Sequence, residues 1–509
     1  MKTKNLKLVF MFVVAAFLFS ACTIVNFNVE GEGGVISATV DGKDIDTDSR
    51  VLLGKEVVFT ATPNDGYQLC FWSVNDSIIN NQDLEYRFKK ETVKNDTLNV
   101  TVSFVKVGTE YPDSLYKLSD DGTELVDWVG ETDVVDMNAD CKLKKVKIIN
   151  NTYTSTSYVK ELIIGDRVRE ILPSVHWSYG IEKMVIPKSV SKMEGGFMIR
   201  ELETIVLSPE NESYTLVDGV LFTKDMKTLV LCPSKRIGAY TIPDGVTHIA
   251  ENAFYHSNLS EVRFPETLIE IGKNAFRQSS LIKKIDMPNS VTTIKEWPFS
   301  YIKSLEEFHI GSGVAALGTN PIGGSSNVKK ITVDENNTAF TVFDGCLFSK
   351  DKTVLIAYCN TQNEKSYSIP DGVKTIGNGA FDLFDNLEAI IIPNSVTTVQ
   401  PYSIHACLNL KELTFPNSVE RIEASACRYA FSVTKLTLGS GLKFIGGAAF
   451  ESFHSLKEVI SYSAIPPGAD SNVFSNTDIS KIMLFVPKGS KQAYQNAQVW
   501  SNFGKIVEM

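Results

Sequence analysis

The chain has 509 residues, a formal net charge of −10 and an aromatic content of 10%. This length exceeds one ordinary hydrophobic core, so we expect several domains or a repeat array, and the aromatic content excludes a disordered chain. Lysine and arginine are scattered rather than clustered, which argues against a nucleic-acid partner.

The first 21 residues have the pattern of a targeting segment. Lysines precede an apolar run, residues 8–19, that is too short for a transmembrane helix. The run ends in Phe19-Ser-Ala-Cys22, which resembles a bacterial lipobox, and this resemblance implies that Cys22 is lipidated. The alternative is an ordinary signal peptide cleaved nearby. We predict a lipoprotein signal peptide over 1–21 and an exported chain that is anchored to the bacterial outer membrane by lipid on Cys22.

Residues 22–107 have the alternation of a small β domain. Val57-Val-Phe-Thr-Ala-Thr62 and Leu98-Asn-Val-Thr-Val-Ser-Phe104 are rich in β-branched residues, which predicts antiparallel strands joined by turns. Gly66-Tyr67 and Trp72-x-Val74-Asn75 resemble the internalin-type B-repeat-like domains of bacterial surface proteins. That resemblance implies a β-grasp or Ig-like spacer or adhesion module. For Trp72 a core position is favoured over sugar stacking.

From 143 to 486 one short phrase returns at a fixed spacing. Pro370, Pro393 and Pro416 lie 23 residues apart, and each phrase leads into a Val-Thr-x-Ile-like segment and then an Asn-Ala-Phe-like segment. A fixed period of this length predicts a solenoid. We expect a main parallel strand, a second short strand on the opposite wall, and a helical turn with its Phe inside. These phrases closely resemble the BspA-type leucine-rich repeat of bacterial surface proteins.

Two longer units, residues 214–243 and 340–370, interrupt the regular period. Their Asp218-Gly219 and Asp344-Gly345 pairs predict hairpin turns in preference to calcium ligands. The resemblance implies that such hairpins continue the stack.

Both ends of the solenoid are expected to be covered. Residues 108–142 are polar and irregular, and we predict a linker that merges into an N-terminal cap. Residues 487–509 resemble the family's usual ending, a short amphipathic helix whose Tyr494, Trp500 and Phe503 cover the last turn. The predicted fold class is therefore mainly β with short helical turns: a leucine-rich-repeat solenoid preceded by a small β-grasp or Ig-like domain.

No catalytic or metal-binding motif is found in the sequence: it has no HExxH, GxSxG or Cys-x-x-Cys and no phosphate-binding glycine loop. We predict no enzyme activity, no cofactor and no metal, although folding could still gather paired carboxylates. Apart from Cys22 there are seven cysteines, and whether any of them pair stays open. Cys407 and Cys427 fall on core positions of the repeat and predict buried thiols.

The outward positions of the main strand form two ladders, and we predict that they make a long concave binding face. The alternative is that these residues serve only β-propensity and cross-strand charge pairing. The predicted binding face consists of Glu261, Arg263, Lys284, Asp286, Glu307, His309, Thr332, Ile391, Thr414 and Thr437.

Three functions fit this pattern. The leading hypothesis is a lipid-anchored, adhesin-like surface protein; the BspA resemblance implies attachment to extracellular matrix proteins and other bacteria. The second is a carbohydrate-capturing lipoprotein, which outward Trp or Tyr would favour and the ladders do not contain. The third is a periplasmic structural or assembly factor, because the first acidic residue after Cys22 is Glu30, whereas some surface-exposed lipoproteins carry an acidic cluster directly after the cysteine. The oligomeric state stays open.

Overall fold

A computed structural model describes residues 22–79, 82–89, 97–150, 159–172, 180–193, 197–359 and 364–509. The fold is mostly β, a β-solenoid of about 16 turns preceded by an N-terminal β domain, which confirms the predicted fold class. The predicted signal peptide, 1–21, lies outside the described residues. The described chain divides into two compact units: the first contains the residues up to 171 and 185–190, and the second contains 172–184 and 191–509.

The described residues of the N-terminal β domain form nine strands: β1 (Cys22–Glu30), β2 (Gly34–Val40), β3 (Lys43–Ile45), β4 (Ser49–Leu52), β5 (Glu56–Pro63), β6 (Tyr67–Val74), β7 (Ser77–Ile79), β8 (Glu85–Lys89) and β9 (Thr97–Lys106). They form two sheets, in the orders β4-β1-β9-β6-β7 and β3-β2-β5-β8. The pairs are antiparallel as predicted, except that β1 and β9 run parallel. Trp72 is fully buried and donates its indole N–H to the Asp83 carbonyl at 2.9 Å, which confirms a core role.

In the segment that follows, the described residues form six further strands and three 3-10 helices: β10 (Tyr116–Leu118), β11 (Glu124–Trp128), β12 (Val134–Asp136), β13 (Ile148–Ile149), β14 (Glu161–Ile163) and β15 (Glu170–Ile171), with helices Asp113–Leu115, Met137–Ala139 and Leu143–Lys145. It is ordered rather than irregular, because Trp128 is fully buried and stacks on Tyr116 at 5.9 Å. β11 pairs in parallel with β13, and β12 with β14. The parallel ladders therefore begin before residue 143.

A disulfide joins the N-terminal β domain to this segment within the first unit. It links Cys70 to Cys141, whose Cα atoms are 5.4 Å apart. Nearby, the buried Lys144 ammonium donates to a main-chain carbonyl of β9 at 2.8 Å, and Arg167 pairs with Glu30 at 2.8 Å. The β domain is thus held to the first turn by a covalent bond and by buried polar contacts.

Two sets of strands make up the rest of the solenoid. The main strands are β16 (Lys183–Ile186), β18 (Thr204–Leu207), β22 (Gly238–Thr241), β24 (Leu259–Arg263), β26 (Lys284–Asp286), β28 (Glu307–Ile310), β30 (Lys330–Val333), β34 (Ser366–Ser368), β36 (Ala389–Ile391), β38 (Glu412–Phe415), β40 (Lys435–Leu438), β42 (Glu458–Ser461), β44 (Met483–Val486) and β45 (Lys505–Glu508). The short strands are β17 (Lys192–Met193), β23 (His248–Ile249), β25 (Glu270–Ile271), β27 (Thr293–Ile294), β29 (Ala316–Leu317), β35 (Thr375–Ile376), β37 (Thr398–Val399), β39 (Arg421–Ile422), β41 (Phe444–Ile445) and β43 (Gly468–Ala469). Both sets pair in parallel, as predicted.

The two long units form the predicted hairpins. The first contains β19 (Tyr214–Val217), β20 (Val220–Thr223) and β21 (Thr228–Leu231), and the second contains β31 (Phe340–Phe343), β32 (Cys346–Ser349) and β33 (Val354–Ala357). Asp218 and Gly219 have φ values of 52° and 74°, the left-handed pair that a two-residue type I′ turn requires. β21 and β33 then pair in parallel with β23 and β35, so each hairpin continues a short-strand sheet.

The Asn-Ala-Phe segment buries its Phe as predicted but does not form a helical turn. Phe254 and Phe276 are fully buried and stack with ring centroids 4.6 Å apart. Asn274 and Gln278 have φ values of 53° and 63°, and a left-handed residue cannot continue a right-handed helix. The Asn274 and Phe276 N–H groups donate instead to carbonyls of the next turn, at 3.0 and 2.7 Å. The segment is therefore a stack of tight turns that are hydrogen-bonded from one coil to the next.

Residues 487–509, which were predicted to form the C-terminal cap, contain short helical segments and the last main strand, β45. The 3-10 helix Ile479–Lys481 precedes β44. Helix α1 (Lys491–Gln495) and the 3-10 helix Trp500–Asn502 lie between β44 and β45. Tyr494, Trp500 and Phe503 are all buried. Among the described residues, no helix combines the length and the apolar character that crossing a bilayer requires.

Candidate binding face

The outer side of the main strands carries the residues that were predicted to bind a partner. In β26, β28 and β30, Lys284 lies opposite Glu307, and Glu307 lies opposite Lys330. Asp286 and His309 form the parallel ladder beside them. The 23-residue period therefore predicted the register of this face correctly.

A groove interrupts this face between β24 and β26. β24 pairs with β22 and β26 pairs with β28, but β24 and β26 belong to different sheets. The opening has a volume of about 550 Å³. Its floor contains the nearly buried Val262 and Met287, and Arg263 and Asp286 stand on its rim. A main-strand sheet that was predicted to be continuous is thus open at this point.

The charges around the groove are paired within single strands. Arg263 Nε lies 2.7 Å from Glu261, and Lys284 Nζ lies 2.7 Å from Asp286. The hydrogen bond to Glu261 raises the pKa of the Arg263 guanidinium, and the bond to Asp286 raises the pKa of the Lys284 ammonium. Both cations therefore stay charged at neutral pH, and each has a carboxylate beside it. The rim offers alternating charges with little net field.

His309 marks the next hollow along the same face. Its Nδ1 lies 2.8 Å from the Thr332 hydroxyl in the neighbouring strand. Together with Asp286, Glu307 and Lys330, these residues line a depression of about 230 Å³. Two adjoining concavities therefore occupy the central part of the predicted face.

The remaining predicted site residues are distributed differently. Ile391 is 56% exposed and Thr414 is exposed, but neither is near the groove in the strand order. Thr437 is only 9% exposed, so little of its side chain is available to a partner. It lies inside a five-stranded parallel sheet, between Thr414 and Ile460, and neighbours on both sides shield its short side chain. Cys22 is half-buried and begins β1, opposite Leu52.

A second cluster was not predicted. Half-buried Trp297 and Tyr402 meet edge to face with ring centroids 5.9 Å apart, on the edge formed by the stacked tight turns. They are 105 residues apart in the chain, so no local pattern reports their contact. The sequence signal that could have pointed to this cluster is the presence of aromatic residues close to the repeat position of the buried Phe. Over the described ranges, no three His, Cys, Asp or Glu side chains gather closely enough to hold a metal ion.

The fold and this face define a leucine-rich-repeat protein of the solenoid class. Residues 230–353 and 356–480 match the BspA-type leucine-rich repeat region in six copies, and residues 28–108 match the divergent InlB B-repeat domain. The chain therefore carries BspA-type leucine-rich repeats behind a divergent InlB B-repeat domain. Solenoids of this kind are typical of non-enzymatic binding proteins.

Solved structures of bacterial leucine-rich-repeat proteins are similar in fold. The pneumococcal vaccine antigen PcpA is 20% identical with a TM-score of 0.42, covering 83% of this chain and 96% of that chain. A leucine-rich cell surface protein from Faecalibacterium prausnitzii is 19% identical with a TM-score of 0.38, covering 69% and 94%. A leucine-rich repeat protein from Bacteroides ovatus is 20% identical with a TM-score of 0.29, covering 68% and 92%. No curated protein sequence matches the chain.

Proposed function

We propose that this chain is a non-catalytic cell-envelope protein that binds a protein partner through the groove between β24 and β26. The observation that carries the proposal is the groove itself, an opening of about 550 Å³ on the exposed side of the main strands. The main strands are divided at other points too, as between β36 and β38, so it is the size and the lining of this opening that make it a place where a partner can enter.

The chemistry of the rim favours a protein surface over a polyanion. The Glu261–Arg263 and Lys284–Asp286 pairs alternate in sign across the groove, so a partner can match each charge in turn. The apolar floor at Val262 and Met287 gives a small hydrophobic contact inside a polar rim. That combination is the usual anatomy of a protein interface.

The family match supports an adhesin-like role at the bacterial surface. The repeat family is one of surface proteins, and one similar structure is named a cell surface protein. On this proposal a lipid on Cys22 tethers the chain to the outer membrane and the solenoid meets extracellular protein. A host matrix protein or a protein on another cell is the expected partner.

Binding to immobilised extracellular-matrix proteins and to whole bacterial cells tests the proposal. The variant Arg263→Ala/Asp286→Ala/His309→Ala should bind at least tenfold more weakly than the unmodified chain, because it removes three groups from the groove and the adjoining hollow. Its thermal unfolding should change little, since Arg263 and Asp286 are exposed and His309 is half-buried.

The short-strand wall provides a matched control. His248, Glu270 and Lys295 are a histidine, an acid and a base on β23, β25 and the end of β27, and Lys295 lies 3.3 Å from Glu270. Their triple alanine variant removes similar charges and should retain binding. If the two triple variants bind equally well, the groove is not the contact surface.

A further inference from the structure

Six aromatic side chains form a strip along the tight-turn edge of the second unit. The strip, here called the turn-edge strip, consists of Trp297, Tyr402, His405, Tyr429, Phe431 and His454. Each ring touches the next, with centroids 5.0 to 5.9 Å apart. It is on a different edge from the groove and is built from different residues.

The second hairpin unit brings the coils of the first two rings of this strip, Trp297 and Tyr402, close together. The Gly324 N–H donates to the Asp382 carbonyl at 3.2 Å, so the turn at 320–325 lies directly against the turn at 379–384. Asn320 Nδ2 also donates to the Asp382 carboxylate, at 3.2 Å. Trp297 from the coil on one side and Tyr402 from the coil on the other thus come within contact distance.

Glycines make room between those coils for the buried Asn320 side chain. A Cβ at Gly323 would lie 1.4 Å from Asn320 Oδ1, and one at Gly379 would lie 2.1 Å from Asn320 Cγ. Any larger residue at either position would therefore displace Asn320.

The strip is not part of the hydrophobic core. Phe431 is 38% exposed, His454 is exposed, and Trp297, Tyr402 and Tyr429 are half-buried. The core tryptophans Trp72, Trp128 and Trp500, in contrast, are fully buried. A connected row of partly exposed rings outside a filled core is typical of an interaction surface.

Polar groups accompany the rings and hold them in place. His405 Nδ1 lies 2.7 Å from the fully buried Asp382 carboxylate, which leaves Nε2 as the nitrogen that can meet a ligand. Arg428 donates to Glu451 at 3.1 Å and lies over the Tyr429 ring at 4.3 Å. In the described part of the chain, the hydroxyls of Tyr402 and Tyr429 donate to no protein group.

We propose that the turn-edge strip binds an extended oligosaccharide. Pyranose rings present apolar C–H faces that pack on aromatic rings and hydroxyls that need donors and acceptors at the ring edge, and the strip supplies both in alternation. Asp382 is buried and hydrogen-bonded to His405 and Asn320, and Arg428 is paired with Glu451, so the strip has little field for a nucleic acid or an anionic membrane. The rings come from four coils of a stack whose strands lie about 4.8 Å apart, so the strip extends across several coils, which suits a chain of sugars rather than a single one.

Affinity electrophoresis of the full chain tests this site. The gels contain soluble xylan, mixed-linkage β-glucan or dextran as neutral probes, and polygalacturonate or hyaluronan as acidic probes. We expect retardation by at least one polysaccharide and a loss of at least tenfold in affinity for Trp297→Ala/Tyr402→Ala. Retardation in the neutral or in the acidic gels identifies which class of sugar the strip accepts.

Two further variants keep the test decisive. Tyr402→Phe/Tyr429→Phe retains the rings and removes only the hydroxyls, so it should fold normally and bind two- to tenfold more weakly. The Arg263→Ala/Asp286→Ala/His309→Ala groove variant should bind sugar as well as the unmodified chain does. The proposal is overturned if no gel retards the protein, or if the strip variants bind sugar undiminished. Neither result affects the proposed protein-binding groove.

Discussion

In more than one coil, a serine hydroxyl donates a hydrogen bond to the carbonyl of the buried Phe. The Ser279 hydroxyl donates to the Phe254 carbonyl at 2.8 Å, and the Ser325 hydroxyl donates to the Phe299 carbonyl at 2.9 Å. In each case the donor belongs to the following coil, and it satisfies a carbonyl that water cannot reach. This bond is repeated through the stack, so it stabilises every coil in which it occurs.

Cys407 occupies the same place in a later coil. Its thiol donates to the Phe381 carbonyl at 3.1 Å, and burial raises the pKa of the thiol far above its ordinary value, so the S–H stays protonated. The sequence predicted a buried thiol here, and the burial is confirmed. Its hydrogen bond could not be predicted, because the repeat pattern reports burial and not what a polar atom faces.

Cys407→Ser should therefore be tolerated and Cys407→Val should not. The serine restores the hydroxyl donor of the other coils, and we expect the free energy of unfolding to change by less than about 1 kcal/mol. Valine leaves the Phe381 carbonyl without a partner, and we expect a loss of about 1–3 kcal/mol. Urea unfolding followed by circular dichroism measures both. Equal stability of the two variants would mean that the thiol contributes packing alone.

At the scale of elements, the spacing of the repeat was sufficient to predict most of the solenoid. A 23-residue period places Thr398 beside Arg421 and Lys284 beside Glu307, and both pairs are found in the structure. The groove between β24 and β26 could not be predicted, because both strands have the regular phrase and the opening depends on how their coils pack. The meeting of Trp297 with Tyr402 was also out of reach, since it depends on which coils the second hairpin brings together.

The sequence left open whether any cysteines pair, and the structure contains a disulfide between Cys70 and Cys141. The two residues are 71 positions apart, in different predicted segments, and no motif relates them. Closing a loop of that length restricts the unfolded chain, and such bonds typically contribute about 2–4 kcal/mol. The bond also joins the N-terminal β domain to a segment that was predicted to be a linker. Within the first unit, that domain is therefore attached by the disulfide and by the polar contacts of Lys144 and Arg167.

Cys70→Ser/Cys141→Ser should loosen the first unit and leave the second unaffected. Hydrogen exchange measured by mass spectrometry should rise in β6, β9 and the segment 137–145, because the chain loses the cross-link that holds them together. Cys232→Ser is the control, since this cysteine is buried in the second unit and burial raises its pKa to about 12. Unchanged exchange in the double variant would show that the polar contacts of Lys144 and Arg167 suffice.

At the scale of the whole molecule, both proposed binding sites require access to the partner. A groove with alternating charges and an aromatic strip serve an adhesin or a glycan-binding lipoprotein only if the solenoid lies outside the cell. The sequence leaves this point open, because the first acidic residue after Cys22 is Glu30. Orientation in the envelope is therefore the property that separates the surface hypothesis from a periplasmic structural role.

Protease treatment of intact cells measures that orientation. We expect proteinase K to remove the full-length protein from intact cells, while a periplasmic marker protein survives until the envelope is opened. Cys22→Ser should in addition move the chain from the membrane fraction to the soluble fraction, because it removes the residue that carries the proposed anchor. Persistence of the chain in intact cells, together with its loss after the outer membrane is permeabilised, would place both sites in the periplasm. The groove would then have to bind an envelope component, and an adhesin-like role would be ruled out.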